Sequence, residues 1–102
     1  MWSIDARVPL RFGPATAAGS GDVLLHEGRS FLADAPDHRP GCACCMVRSS
    51  AAQALATLFQ ERARGEVPFF RGVLIVAGAE GEAAVRRALE ADPLVSARFR
   101  LA

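Results

Sequence analysis

A short apolar run at residues 73–76 (VLIV), placed between two helical patterns, constrains the fold more than any other feature of the sequence. Such a run is typical of a strand that is covered on both faces, as in a parallel sheet. Before it, apolar residues at helical spacing predict a helix over 51–64, with Ser50 as its N-cap and Gly65 as its C-terminal stop. After it, a second helix is predicted over 82–91. The order helix, buried strand, helix therefore predicts an α/β fold.

Turn signals flank the second predicted helix. Gly78 and Gly81 are predicted to form the turn that leads into it, and Pro93 follows its end. Residues 95–101 fit either a short helix or a closing strand, and a strand is favoured around 98–101.

The first residues show the alternation of a strand. Apolar and polar residues alternate over 3–12, which predicts a half-buried strand. Pro9 lies within it and has no N–H to donate to a neighbouring strand, so the sequence predicts a strand at the edge of the sheet. Residues 13–22, rich in Gly and Ala, indicate a loop.

A hairpin is predicted next along the chain. The segments 23–26 and 29–32 flank Glu27-Gly28, a pair suited to a tight turn. Residues 34–41 include two prolines and indicate an irregular loop. The sheet is therefore expected to be small, with an edge strand or a hairpin on its N-terminal side.

Size and charge exclude several classes of protein. With 102 residues, of which 51% are hydrophobic and 23% charged, residues 1–102 are expected to form a single globular domain. The net charge is only +1 and the basic residues are dispersed, which gives no electrostatic basis for binding nucleic acid or a membrane. The short apolar runs, the N-terminus without the order of a signal peptide, and the odd number of cysteines favour a cytoplasmic location.

All three cysteines lie within four positions, at Cys42, Cys44 and Cys45. Three thiolates at this spacing can reach one metal ion, and sulfur ligands favour Zn²⁺ or Cu⁺ over Mg²⁺ or Ca²⁺. Ser50 and Gln53 form the pattern of a capping box, which puts Cys45 about one turn before a helix N-terminus, whose dipole favours deprotonated sulfur. The cluster therefore indicates a metal site. Three buried, inert thiols are the alternative.

Tetrahedral zinc requires a fourth donor besides three sulfurs. His38 is the first candidate because it precedes Cys42 by only four positions. His26 is the second candidate, and a residue of a partner subunit is the third. Asp34 and Asp37 lie in the same loop as His38, but carboxylates are weaker choices beside thiolates.

Residues 41–48 (GCACCMVR) resemble the Gly-Cys-x-Cys-Cys-x-Val-Arg motif of the CobW-like P-loop GTPases. The resemblance continues through the predicted helix 51–64 and the apolar strand to residues 88–101, so it covers the chain from the motif to its C-terminus. It implies a relation to proteins that handle zinc and cobalt, including metal chaperones. It also implies a sheet of the P-loop type.

The nucleotide-binding parts of that family are missing here. Residues 7–25 are only faintly similar to the family's opening strand, P-loop and helix, and Asp22 stands where the phosphate-binding lysine belongs. The chain contains no lysine at all. The family's Glu-Thr-x-Gly corresponds to residues 75–78 (IVAG), which lack the acidic residue. The resemblance therefore implies a truncated relative with a partial P-loop-like sheet that binds no nucleotide and is not an enzyme.

Two functions follow. The first is a small cytoplasmic metal-binding protein related to CobW-type metallochaperones, with zinc preferred over cobalt. The alternative is a non-catalytic interaction module that dimerises or pairs with a full-length CobW-like protein, because a half-sized sheet leaves exposed strand edges.

Overall fold

The computed structural model describes residues 6–31 and 49–102. Its strands are β1 (Val8–Phe12), β2 (Asp22–His26), β3 (Gly72–Val76) and β4 (Phe99–Leu101). Its helices are α1 (Ser50–Arg64), α2 (Ala79–Ala91) and α3 (Pro93–Arg98), and a 3₁₀ turn covers Ala15–Ala17. The predicted α/β fold class is confirmed.

The strands form one parallel sheet in the order β2-β3-β1-β4. β3 lies inside the sheet and is buried from Gly72 to Ile75, which confirms the strand predicted from the apolar run. Parallel strands require crossover connections. Helix α1 lies in the connection between β2 and β3, and helices α2 and α3 lie between β3 and β4.

The edge position predicted for the N-terminal strand is wrong. β1 begins at Val8 and lies between β3 and β4. Gly13 donates its N–H to the Ile75 carbonyl. Because every second residue of a strand faces the same neighbour, the backbone nitrogen of Pro9 also points toward β3, where it has no N–H to donate. Pairing with β3 begins only at Leu10, opposite Val73. Pro9 is tolerated inside the sheet because it precedes the ladder that its N–H would have joined.

The predicted hairpin is also wrong. β2 pairs with β3 in parallel from Asp22 to His26, and the chain turns over residues 28–30. Gly28 has a φ of +83°, which favours glycine and explains the turn signal in the sequence. Its N–H donates to the carbonyl of Phe31, whose side chain is buried. The turn is real, but the neighbour of β2 comes from a distant part of the chain.

Helix α1 agrees with its prediction except at its cap. Ser49, not Ser50, is the N-cap, because its side chain accepts a hydrogen bond from the Ala52 N–H at 3.2 Å. The predicted capping box of Ser50 with Gln53 is therefore wrong. Gly65 ends the helix as predicted, with a φ of +75°.

The C-terminal elements contain both structures that the sequence allowed. α2 begins at Ala79 rather than Glu82, so Gly81 is a buried residue of its first turn and not part of the preceding loop. Asp92 then caps α3 by accepting the Leu94 N–H at 2.9 Å, and β4 follows directly. Within the described ranges, no helix combines the length and the apolar character that crossing a bilayer requires.

The two faces of the sheet are covered differently. On one face, here called the helix face, all three helices and alternate strand residues join one buried cluster, which includes Leu10, Leu25, Ile75, Phe99, Leu55, Val85 and Val95. The opposite face is here called the loop face. There Leu74 is buried beneath the connection 13–21, and a Cβ placed on Gly13 would lie 3.6 Å from Leu74 Cδ1.

Candidate functional site

The predicted metal ligands lie in the segment 32–48, outside the described residues; they are Cys42, Cys44, Cys45 and His38. Within residues 6–31 and 49–102, no group of three or more His, Cys, Asp or Glu side chains is arranged to hold a metal ion. The ligand set therefore stays a prediction. The structure instead defines where the segment starts and ends.

The two described residues that flank the segment 32–48 lie at the carboxyl edge of the sheet. Phe31 precedes it and forms a bridge with Glu27, directly after β2. Ser49 follows it and caps α1. Because β2 and β3 are parallel, α1 must run from the carboxyl edge back to the amino edge. Ser30 and Ser50 line one groove, so the two ends lie close together. In open parallel sheets this is the edge at which ligands bind.

His26, the second candidate for the fourth ligand, is the last residue of β2. It is half-buried, and its side chain lies on the loop face because its neighbour Leu25 is buried on the helix face. His26 therefore lies at the same edge of the sheet as both ends of the segment 32–48.

Glu27 connects this edge to the N-terminus of α2. Its Oε1 accepts a hydrogen bond from the Gly78 N–H at 2.9 Å, so a carboxylate meets the positive end of the helix dipole. Gly81 permits this approach, because a Cβ there would lie 2.5 Å from Glu27 Cδ and 2.8 Å from the Ala77 Cβ. Sequence reasoning missed this contact, because it assigned both glycines to a turn before the helix.

Asp22 forms a second polar centre at the amino end of β2. Its carboxylate accepts the Gly19 N–H at 2.8 Å and forms an ion pair with the Arg11 guanidinium. The hydrogen bond from Gly19 lowers the pKa of Asp22; desolvation opposes this change, and Arg11 adds to it. Gly72 makes room for the carboxylate, since a Cβ there would lie 2.7 Å from Asp22 Oδ1. The connection 13–21 is thus closed by an anionic side chain of the protein itself.

Comparisons with known proteins identify no relative of this chain. No protein-family model matches the chain, and no curated protein or solved structure matches it. The resemblance to the CobW-like GTPases and the P-loop type of the sheet therefore stay predictions.

Proposed function

We propose that this chain is a small cytoplasmic protein that binds a metal ion, zinc in preference to cobalt, through Cys42, Cys44 and Cys45. The observation that carries the proposal is the spacing of three thiols within four positions of the sequence. His38 and His26 are the candidates for the fourth ligand. In this proposal the protein is a non-enzymatic relative of the CobW-type metallochaperones.

The described fold supports a ligand site at the carboxyl edge of the sheet. In the chain, the segment that carries the thiols lies between β2 and the N-terminus of α1. Ser49 caps that helix, so Cys45 precedes the cap by four positions. The positive end of a helix dipole favours thiolate over thiol, and the thiolate is the form that binds metal.

The described backbone also supports the proposal that no nucleotide binds. Phosphates are commonly held by backbone N–H groups of a loop or of a helix N-terminus that follows a strand. After β1, the Gly19 N–H donates to the carboxylate of Asp22. After β3, the Gly78 N–H donates to the carboxylate of Glu27. A phosphate at either place would have to displace a carboxylate and would be repelled by it.

Native mass spectrometry of protein purified under reducing, chelator-free conditions tests the metal proposal. The expected result is a mass increment of one zinc ion per chain, which Cys44→Ser, Cys42→Ser and Cys45→Ser each remove or weaken. Metal-free protein, together with no micromolar zinc affinity in a competition titration, would refute the proposal.

The fourth ligand is tested by a matched pair of variants, His38→Ala and His26→Ala. We expect the variant that lacks the ligand to bind zinc at least tenfold more weakly, because one of four tetrahedral donors is lost. The other variant serves as the control and should bind as the wild type does. If both variants bound zinc as tightly as the wild type, the fourth ligand would be a different donor.

The second candidate function is an interaction module. The observation that favours it is that Leu24, on the outer strand β2 of the sheet, is 37% exposed. Outer strands with exposed apolar residues invite pairing with another chain. This function predicts an assembly that survives the replacement of all three cysteines by serine. A strictly monomeric state in sedimentation would count heavily against it.

A further inference from the structure

The outer edge of β2 presents backbone groups that the described residues do not use. Glu27 donates its N–H to the Val76 carbonyl, and Gly72 donates its N–H to the Gly21 carbonyl. In a parallel ladder the residues that bond one neighbour alternate along the strand. The odd-numbered residues of β2 therefore face β3, and the backbone groups of Asp22, Leu24 and His26 point away from the sheet.

Two of these outward groups already have partners within the chain. The Asp22 N–H donates to the Gly19 carbonyl at 3.1 Å. The His26 carbonyl accepts the Ser30 N–H at 2.8 Å. This leaves four outward groups without a partner in the described ranges, namely the N–H and carbonyl of Leu24, the N–H of His26 and the carbonyl of Asp22.

We propose that two copies of this chain pair through β2, antiparallel, about a two-fold axis at Leu24. In that register Leu24 lies opposite Leu24 of the partner subunit, and Asp22 lies opposite His26 of the partner subunit. Each Leu24 donates to and accepts from its counterpart, and each His26 N–H donates to the Asp22 carbonyl across the axis. A complete ladder in this register would also join the Asp22 N–H to the His26 carbonyl of the partner subunit. These are the two groups that already have partners within their own chain, so the register uses only the groups that are left.

The side chains match in the same register. The exposed Leu24 side chains cover each other, and the carboxylate of Asp22 lies on the same strand face as His26 of the partner subunit. A contact between identical surfaces must be self-complementary in this way. The opposite edge of the sheet, β4, is not self-complementary. Antiparallel pairing of β4 about its central residue would place Arg100 directly opposite a second Arg100.

Among the described residues, there is room for the partner beside this edge. A groove of about 380 Å³ lies between β2 and α1, and its lining includes Leu24, Thr57, Leu58 and Glu61. The two-fold axis brings the partner's β2 and α1 alongside the same groove. The dimer is thus an eight-stranded sheet with the α1 helices of the two copies on one side. The inference makes the second candidate function specific and is independent of whether the cysteines bind metal.

Disulfide trapping tests the register in a background where Cys42, Cys44 and Cys45 are replaced by serine, so that metal binding cannot contribute. Leu24→Cys should give a disulfide-linked dimer on mild oxidation, since directly opposite residues of a hydrogen-bonded pair lie about 5.5 Å apart between Cα atoms. His26→Cys is the matched control on the same edge. Its two copies would lie four strand positions apart, about 13 Å, and should stay unlinked. Equal linking of both variants would overturn the register.

Sedimentation of the wild-type chain tests the dimer itself, without an engineered cysteine. Leu24→Lys should weaken self-association about tenfold or more, because like charges would lie directly opposite each other. Leu101→Lys makes the same change at the β4 edge, where Leu101 is 45% exposed, and should leave the association unchanged. A wild-type monomer, equal effects of the two changes, or assembly only with a different protein would each overturn the proposal.

Discussion

The helix face of the sheet buries Leu10, Ile75 and Phe99 beneath three helices, whereas the loop face buries Leu74 beneath a connection of small residues. The connection 13–21 (GPATAAGSG) contains no side chain larger than threonine and proline. It therefore contributes little apolar area of its own. The loop face is held instead by the carboxylate of Asp22, which joins the Gly19 N–H to the Arg11 guanidinium.

This difference indicates where stability resides. Apolar burial contributes roughly 25 cal/mol per Å² removed from water, so the face with the large buried side chains carries most of the free energy of folding. The ion pair on the loop face contributes less, because the Arg11 side chain is 43% exposed and solvent screens its charge. We expect substitutions on the helix face to be the more costly ones.

The largest effect is expected for Phe99→Ala. Phe99 is fully buried, and its ring packs edge-on against Phe59 with 5.9 Å between centroids. Removing it leaves a cavity between the sheet and the helices, and should lower the free energy of unfolding by about 4 kcal/mol. Urea unfolding followed by circular dichroism measures this. Leu101→Ala, two residues away on the same strand but exposed, is the control and should change stability by less than about 0.5 kcal/mol.

Leu74→Ala tests the loop face at a residue that is equally buried. We expect a loss of about 2 to 3 kcal/mol, at the lower end for buried leucines, because the connection 13–21 can settle into the space. Leu55→Ala, at a fully buried position of α1, is the matched comparison and should cost more. If Leu74→Ala cost as much as Leu55→Ala, the connection would be as rigid a cover as the helices.

Local sequence patterns predicted the helices and strands themselves better than they predicted which strands pair with each other. The apolar run identified β3, and helical spacing with Gly65 identified α1, because both signals come from the residues of the element itself. The position of β1 and the pairing of β2 depend on strands far along the chain. Pro9 indicated an edge, yet it required only that the ladder with β3 begin one residue later.

The candidate site shows the same limit. The spacing of Cys42, Cys44 and Cys45 is visible in the sequence and predicts chemistry that lies outside the described residues. The contact of Glu27 with the start of α2 could not be predicted, because it joins residues 51 positions apart. Gly81 is the position where a side chain would collide with Glu27, but a glycine before a predicted helix also fits a turn, which is what the sequence predicts at this position.

Asp22→Asn should lower the free energy of unfolding without leaving a cavity on the loop face. Asparagine keeps an oxygen for the Gly19 N–H but loses the charge that Arg11 meets, so we expect a loss of about 1 kcal/mol. A double-mutant cycle with Arg11→Met separates the ion pair from the hydrogen bond. If the two changes are fully additive, the ion pair contributes nothing and the hydrogen bond from Gly19 alone closes the connection.

The smallest expected effect is a pH dependence confined to the loop face. The pKa of Asp22 lies below its ordinary value of 3.8 in the folded chain, so the folded state favours the carboxylate. Its contribution to stability is therefore complete above the unfolded pKa and is lost as the pH falls through the lower folded pKa. The informative quantity is the difference in unfolding free energy between the wild type and Asp22→Asn, because this difference isolates the contribution of the Asp22 carboxylate. That difference should be constant from pH 7 to about pH 5 and shrink below pH 4. A difference that stayed constant to pH 2 would show that the charge of Asp22 does not stabilise the connection, and the loop face would then depend on the hydrogen bond from Gly19 and on packing.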